Sequence, residues 1–115
     1  MKGSNDMKEQ NPFVLFQQET PQVAAAFNGL IEAISALDGL DAKTRQLIYI
    51  GIKASQGDAG AVAAHVPMAR AEGATREEIR DTVLMTLTVC GVKGMANCLV
   101  PALDAYERGA GWVKP

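Results

Sequence analysis

The sequence of 115 residues holds one histidine, two cysteines and one tryptophan, and aromatic residues make up only 5% of it. A single imidazole cannot build the usual metal site without carboxylates placed around it, and Cys90 and Cys98 do not form a C-x2-C pair. No glycine-rich phosphate loop is present, since no strand is indicated for one to follow. Neither a metal nor an organic cofactor is expected. Two cysteines eight positions apart are not a disulfide framework, so a reducing, cytoplasmic setting is expected. The longest apolar run, 83–92, is broken by Thr86 and Thr88 and falls short of the roughly 20 residues a membrane span needs. The opening MKGSNDMKEQ has no apolar segment behind its lysine and does not read as a secretory signal. Basic residues are not in excess: the formal charge is -2 and the pI about 5.3. A nucleic-acid backbone or an anionic membrane is therefore not the expected partner. Small molecules and other protein chains are.

What is present suits one folded domain. Hydrophobic residues are 48% and charged residues 21% of the chain, a globular composition with material for one core. Residues 1–11 read as a mobile N-terminal extension, 12–110 as a single domain, and 111–115 as a tail in which Trp112 can act as an anchor. Apolar residues recur with helical period and nowhere alternate as in a half-buried strand, so the fold is expected to be all-α, with about five to six helices. A short amphipathic helix over 12–19 leads into a longer one. Thr20 is placed to cap the latter and Pro21 to start it; Val23, Phe27, Leu30, Ile31, Ile34 and Leu37 make its stripe, and Gly39 ends it. Asp41 caps a helix that stops at Gly57, and Asp58 caps one that runs past His65 to Glu72 and stops at Gly73. Thr75-Arg76-Glu77-Glu78 is a capping box opening a fourth long helix through Val89. After a break over 91–94, a last helix runs from about Met95 to Arg108.

The segment VLMTLTV in the fourth helix is apolar nearly all round, and such a helix must be covered on more than one side. A domain of this size has little with which to cover it, and the preceding helix is rich in Ala and Gly, which permit close backbone approach. A homo-oligomer is the expected consequence. Met68 and Met85 are expected to fill the core, and Cys90 and Cys98 to behave as small buried hydrophobes.

His65 heads the residues able to do chemistry, because imidazole gives and takes protons near neutral pH. Its helical neighbours Ala61, Val62, Met68 and Ala69 offer no polar partner, so a partner must come from another helix. Asp58 lies almost on the same azimuth, yet seven residues at ~1.5 Å each put it roughly 10 Å away along the axis. It reads equally as a helix cap. Arg45, Lys53 and Arg70 are candidates for binding an anion, and equally for solvated helix faces.

From Leu40 to about Tyr106 the sequence resembles the carboxymuconolactone decarboxylase family, which includes the alkylhydroperoxidase D (AhpD) proteins. The family's L-x-x-K-x-R-E-L opening is matched by LDAKTRQL, and its A-x3-G-A-T-x-E-E-I by Ala69, Gly73, Ala74, Thr75, Glu77, Glu78 and Ile79. The resemblance implies an AhpD-like helical fold assembled into trimers or hexamers, with His65 as the site histidine. Peroxidase-type members carry E-x11-C-x2-C-x3-H. Counting back from His65, the thiol positions hold Ala61 and Asp58, and the glutamate position holds Gln46. Neither Asp58 nor Ala61 can supply a thiolate or a resolving thiol, and Gln46 cannot ionise. The family's decarboxylase branch has no need of those thiols. The resemblance thus implies a lyase-type reaction on a small carboxylated or lactone-type molecule. On this reading His65 is the expected proton donor or acceptor, with Gln46 and Asp58 beside it in the catalytic set, and Arg45, Lys53 or Arg70, none of them marked by a family motif, is the expected grip on the carboxylate. Two alternatives stand beside it: a non-catalytic oligomer of the same fold with a degenerate site, and a hydroperoxide reductase using the displaced Cys90 and Cys98.

Overall fold

The computed structural model describes residues 11–109; all but Asn11 of the expected N-terminal extension, and the tail with Trp112, lie outside the described residues. The described residues form helices α1 (Pro12–Glu19), α2 (Pro21–Ser35), α3 (Ala42–Ser55), α4 (Ala59–Ala71), α5 (Arg76–Met85), α6 (Leu87–Cys90) and α7 (Lys93–Arg108), and no strand. The all-α expectation holds. These helices divide into two compact units, one ending at Gly39 and the other beginning at Leu40.

In the first unit, Asn11 caps α1 by accepting from the Phe13 amide at 2.8 Å. Phe16 and Phe27 meet edge to face, with centroids 6.1 Å apart. Pro21 opens α2, where its missing N–H costs nothing. The expected Thr20 cap does not form: the Thr20 hydroxyl turns back to donate to the Phe16 carbonyl at 3.1 Å. Nor does α2 reach Gly39; it ends at Ser35, where Leu37 N–H bonds the Ile34 carbonyl and tightens the turn. Ala24 is the one buried residue of α1 and α2, and the apolar stripe of α2 is exposed.

The second unit holds the core. Ile50 and Ala54 of α3, Val62, Val66 and Ala69 of α4, Ile79 and Val83 of α5, and Cys98 and Ala102 of α7 form one fully buried cluster. Many of these are small, so the helix axes approach closely. Gly94, expected in a break, is instead buried inside α7, where an added Cβ would sit 2.8 Å from the Ala54 carbonyl oxygen. The caps form as their sequences suggest. Asp41 accepts from Thr44 N–H at 2.7 Å and Asp58 from Ala61 N–H at 3.0 Å. Both hydrogen bonds of the Thr75/Glu78 capping box are present. Lys43 adds an ion pair to Glu78 at 3.0 Å, tying the start of α3 to that of α5.

Two further expectations need correction. The fourth long helix is broken at Thr86, whose hydroxyl and amide both bond the Val83 carbonyl and so draw the backbone out of the regular i to i-4 ladder. Met68 and Met85 are exposed, because the small residues of α4 and the β-branched residues of α5 already fill the core.

Candidate functional site

The site is built where α3 crosses α4. Gln46, Tyr49 and Lys53 stand three and four residues apart on α3, within about 60° of one another around its axis. On α4 the Ala and Gly residues preceding His65 keep that face low, so α3 side chains reach the imidazole. Gln46 Oε1 lies 2.9 Å from His65 Nδ1. The Tyr49 ring stacks on the imidazole with centroids 3.8 Å apart and planes 25° from parallel. Lys53 Nζ is 5.9 Å from the centre of the Tyr49 ring on one side and 3.8 Å from Asp58 Oδ2 on the other. The result is a file running Gln46, His65, Tyr49, Lys53, Asp58.

This geometry sets the protonation of His65. Gln46 Oε1 can only accept, so Nδ1 carries the hydrogen and Nε2 keeps its lone pair. Partial burial holds the imidazole below its ordinary pKa, and the nearby Lys53 ammonium pushes the same way. His65 is accordingly neutral at pH 7, with Nε2 a proton acceptor. Among the described residues, no hydrogen bond reaches Nε2.

The other candidates lie as follows. Asp58 is engaged by its cap bond to Ala61, with Lys53 at the longer distance given above. Arg70 lies five residues beyond His65, about 140° round α4. It donates to the Tyr106 carbonyl at 2.8 Å and covers the Tyr106 ring at 4.2 Å, so it fastens α4 to α7. Arg45, next to Gln46 in the chain, is half-buried. Cys98 is fully buried, and burial, followed by the charge of Asp58, pushes its thiol up. Cys90 is half-buried, with Sγ 3.5 Å from the Thr86 carbonyl. Both cysteines are free thiols. No group of three or more His, Cys, Asp or Glu residues able to hold a metal occurs among the described residues. Nor is any helix among them long and apolar enough to cross a membrane.

Tyr49 is the site residue that sequence reasoning passes over. Its signal was available: in a chain with two tyrosines, one stands a helical turn from Gln46 and a turn from Lys53.

Comparison with known proteins adds a family and a solved relative. The model of the carboxymuconolactone decarboxylase family matches residues 21–104. The structure is similar to a crystal structure of a carboxymuconolactone decarboxylase family protein from Legionella pneumophila, in its apo form. The two share 26% sequence identity and a TM-score of 0.76, over 92% of each chain. The comparison with curated proteins finds no match.

Proposed function

The chain belongs to the carboxymuconolactone decarboxylase family, and we propose that it acts on a small carboxylated or lactone-type molecule, with His65 moving the proton and Lys53 holding the carboxylate. The observation that carries this reading is the file of side chains from Gln46 to Lys53: an oriented imidazole with its Nε2 lone pair unused, and an ammonium one aromatic ring away. Decarboxylation leaves an electron pair on carbon that must be protonated, so the reaction needs an acid at the right moment. In the free protein His65 is neutral, for the reasons given above. A substrate carboxylate seated beside it offsets the Lys53 charge and favours the imidazolium, so substrate binding itself supplies the donor form. Gln46 keeps the ring in one tautomer and one orientation throughout. Arg45 is the second cation proposed for the substrate, on the strength of its place next to Gln46. Arg70, held by Tyr106, is the weakest of the three.

Thiol peroxidase chemistry of the family's other branch has less support. The two thiol positions are Asp58 and Ala61, and the buried Cys98 is biased toward the unreactive thiol. A non-catalytic protein of the same fold is the second reading. It is favoured by Asp58, whose carboxylate serves as a cap where the family's peroxidases need a nucleophile. Turnover of a panel of carboxylated lactones separates the two readings. We expect His65→Gln to lower kcat at least a hundredfold, the ordinary scale of a general acid or base, and Lys53→Met to raise KM more than it lowers kcat. A panel that the wild-type chain does not turn over would leave the non-catalytic reading standing, and equal turnover by wild type and His65→Gln would take the proton step away from His65.

A further inference from the structure

Gln46 alone does not fix the imidazole of His65. A hydrogen bond at Nδ1, here 2.9 Å from Gln46 Oε1, pins one corner of the ring and leaves its plane to a torsion that is broad in histidine. The plane is set by Tyr49. Its ring lies 3.8 Å from the imidazole, centroid to centroid, and 25° from parallel, so it covers one face. Gln46 and Tyr49 both come from α3, about one turn apart, and both are half-buried. With a corner and a face taken, the Nε2 edge is left to a substrate.

The same contact has an electrostatic sign. The face of an aromatic ring is the negative part of its quadrupole, and a cation within about 6 Å of the centroid is attracted to it. Protonation of His65 places a positive charge over the Tyr49 face at 3.8 Å, well inside that range, whereas Lys53 Nζ stands at its edge, 5.9 Å from the same centre. The other charged or titratable groups around this part of α4 are Arg45 on α3, Asp58 and Arg70 on α4 itself, and Lys93 and Cys98 on α7. Among all of these, only the Lys53 charge reaches His65, and it opposes the imidazolium, as burial does. The Tyr49 face works in the other direction.

We propose that Tyr49 is a positioning residue for His65: its ring sets the imidazole plane and holds the imidazolium once the proton has arrived. The role rests on the reading of His65 as the proton carrier given above. Tyr49 restores part of the proton affinity that burial and Lys53 remove, so the acid form is within reach when a substrate binds. The contact is made by the face of the ring, so the aromatic ring and not the hydroxyl carries the role.

NMR titration of His65 tests this role without reference to turnover. In the folded wild-type chain the imidazole protons are expected upfield of their positions in the urea-unfolded chain, because they lie over an aromatic face. Tyr49→Leu is expected to lower the His65 midpoint by about half a pH unit or more, the scale of a cation over such a face. Tyr49→Phe keeps the face and is expected to leave both the midpoint and the upfield shifts in place. The sign separates this role from mere shielding, since a ring that only excludes water would, once trimmed to leucine, let water in and raise the midpoint. A midpoint that rises or stays in Tyr49→Leu overturns the proposal, as does one that falls equally far in Tyr49→Phe. So do wild-type imidazole protons at their unfolded positions, a result that needs no variant to fold. On a carboxylated lactone that the wild-type chain turns over, Tyr49→Leu is expected to lose about three- to tenfold in kcat, the equivalent of one-half to one unit of proton affinity, and Tyr49→Phe to lose little. A wild-type chain that turns over no such molecule defeats the reading of His65 as a proton carrier, while the titration still decides whether Tyr49 holds the imidazolium.

Discussion

His65 is the only histidine in the chain, so its ring protons give one unambiguous titration by NMR, and the electrostatics of the site can be read through it. Burial and the Lys53 charge hold its pKa below the ordinary 6.5. Lys53→Met removes one of these causes and is expected to bring the midpoint up toward the ordinary value. Gln46→Glu places a carboxylate where the amide oxygen now stands 2.9 Å from Nδ1 and is expected to raise the midpoint by about one pH unit or more. An unmoved midpoint in both variants would show that His65 does not feel these side chains. The sign for stability follows. The unfolded chain binds the proton near pH 6.5 and the folded chain only at lower pH. This histidine therefore costs no stability above 6.5 and takes stability away as the pH falls from there to the folded midpoint. The position of His65 and its relation to Gln46 were legible in the family spacing. The stacking of Tyr49 was not, because it depends on how closely α3 and α4 approach, and only the small residues of α4 hint at that.

At the scale of elements, the clearest sequence signals were those in which a side chain bonds its own backbone. Asp41, Asp58 and Thr75 all cap as their sequences suggest. Local pattern misleads where a threonine hydroxyl turns to a preceding carbonyl, as at Thr20 and Thr86, and where tertiary packing decides, as at Gly94. Thr86 reads as one residue of a continuous apolar helix, yet its hydroxyl ends α5, and Gly94 reads as a breaker while sitting buried within α7. Gly94 is glycine because α7 passes against the Ala54 carbonyl and the Thr86 hydroxyl, which leave no room for a Cβ. In a free helix, Gly→Ala gains about 1 kcal/mol. At Gly94 the clash with backbone is expected to reverse that sign, for a net loss of about 1–3 kcal/mol and a fall of several degrees in Tm. Gly29 in α2 has nothing within 4 Å of the added carbon, and Gly29→Ala is expected to raise Tm. Thermal unfolding followed by circular dichroism compares the two, and a gain at both positions would refute the close approach of α7.

At the scale of the whole molecule, the sequence announces that apolar faces exist without saying which chain buries them. The stripe of α2 reads as a core face by its spacing, and it is exposed here; Met85 and Val89 likewise read as covered and are open. A helical period fixes the azimuth of a face and carries no information on whether its partner lies in the same copy. If the partner is a second copy, stability is tied to protein concentration, since assembly draws the folded chain forward by mass action. A tenfold rise in concentration adds about 1.4 kcal/mol per association step at 25 °C, or roughly 0.7–0.9 kcal/mol per chain for assemblies of two or three. For a domain of this size that corresponds to an increase in Tm of about 3–7 °C. Scanning calorimetry from 10 to 100 μM is expected to show this rise for the wild-type chain and to lose it in Ile31→Asp, which puts a charge in the middle of the α2 stripe. A Tm that stays flat in the wild-type chain would mean that these apolar faces remain open to water, and that each copy of His65 works within its own chain.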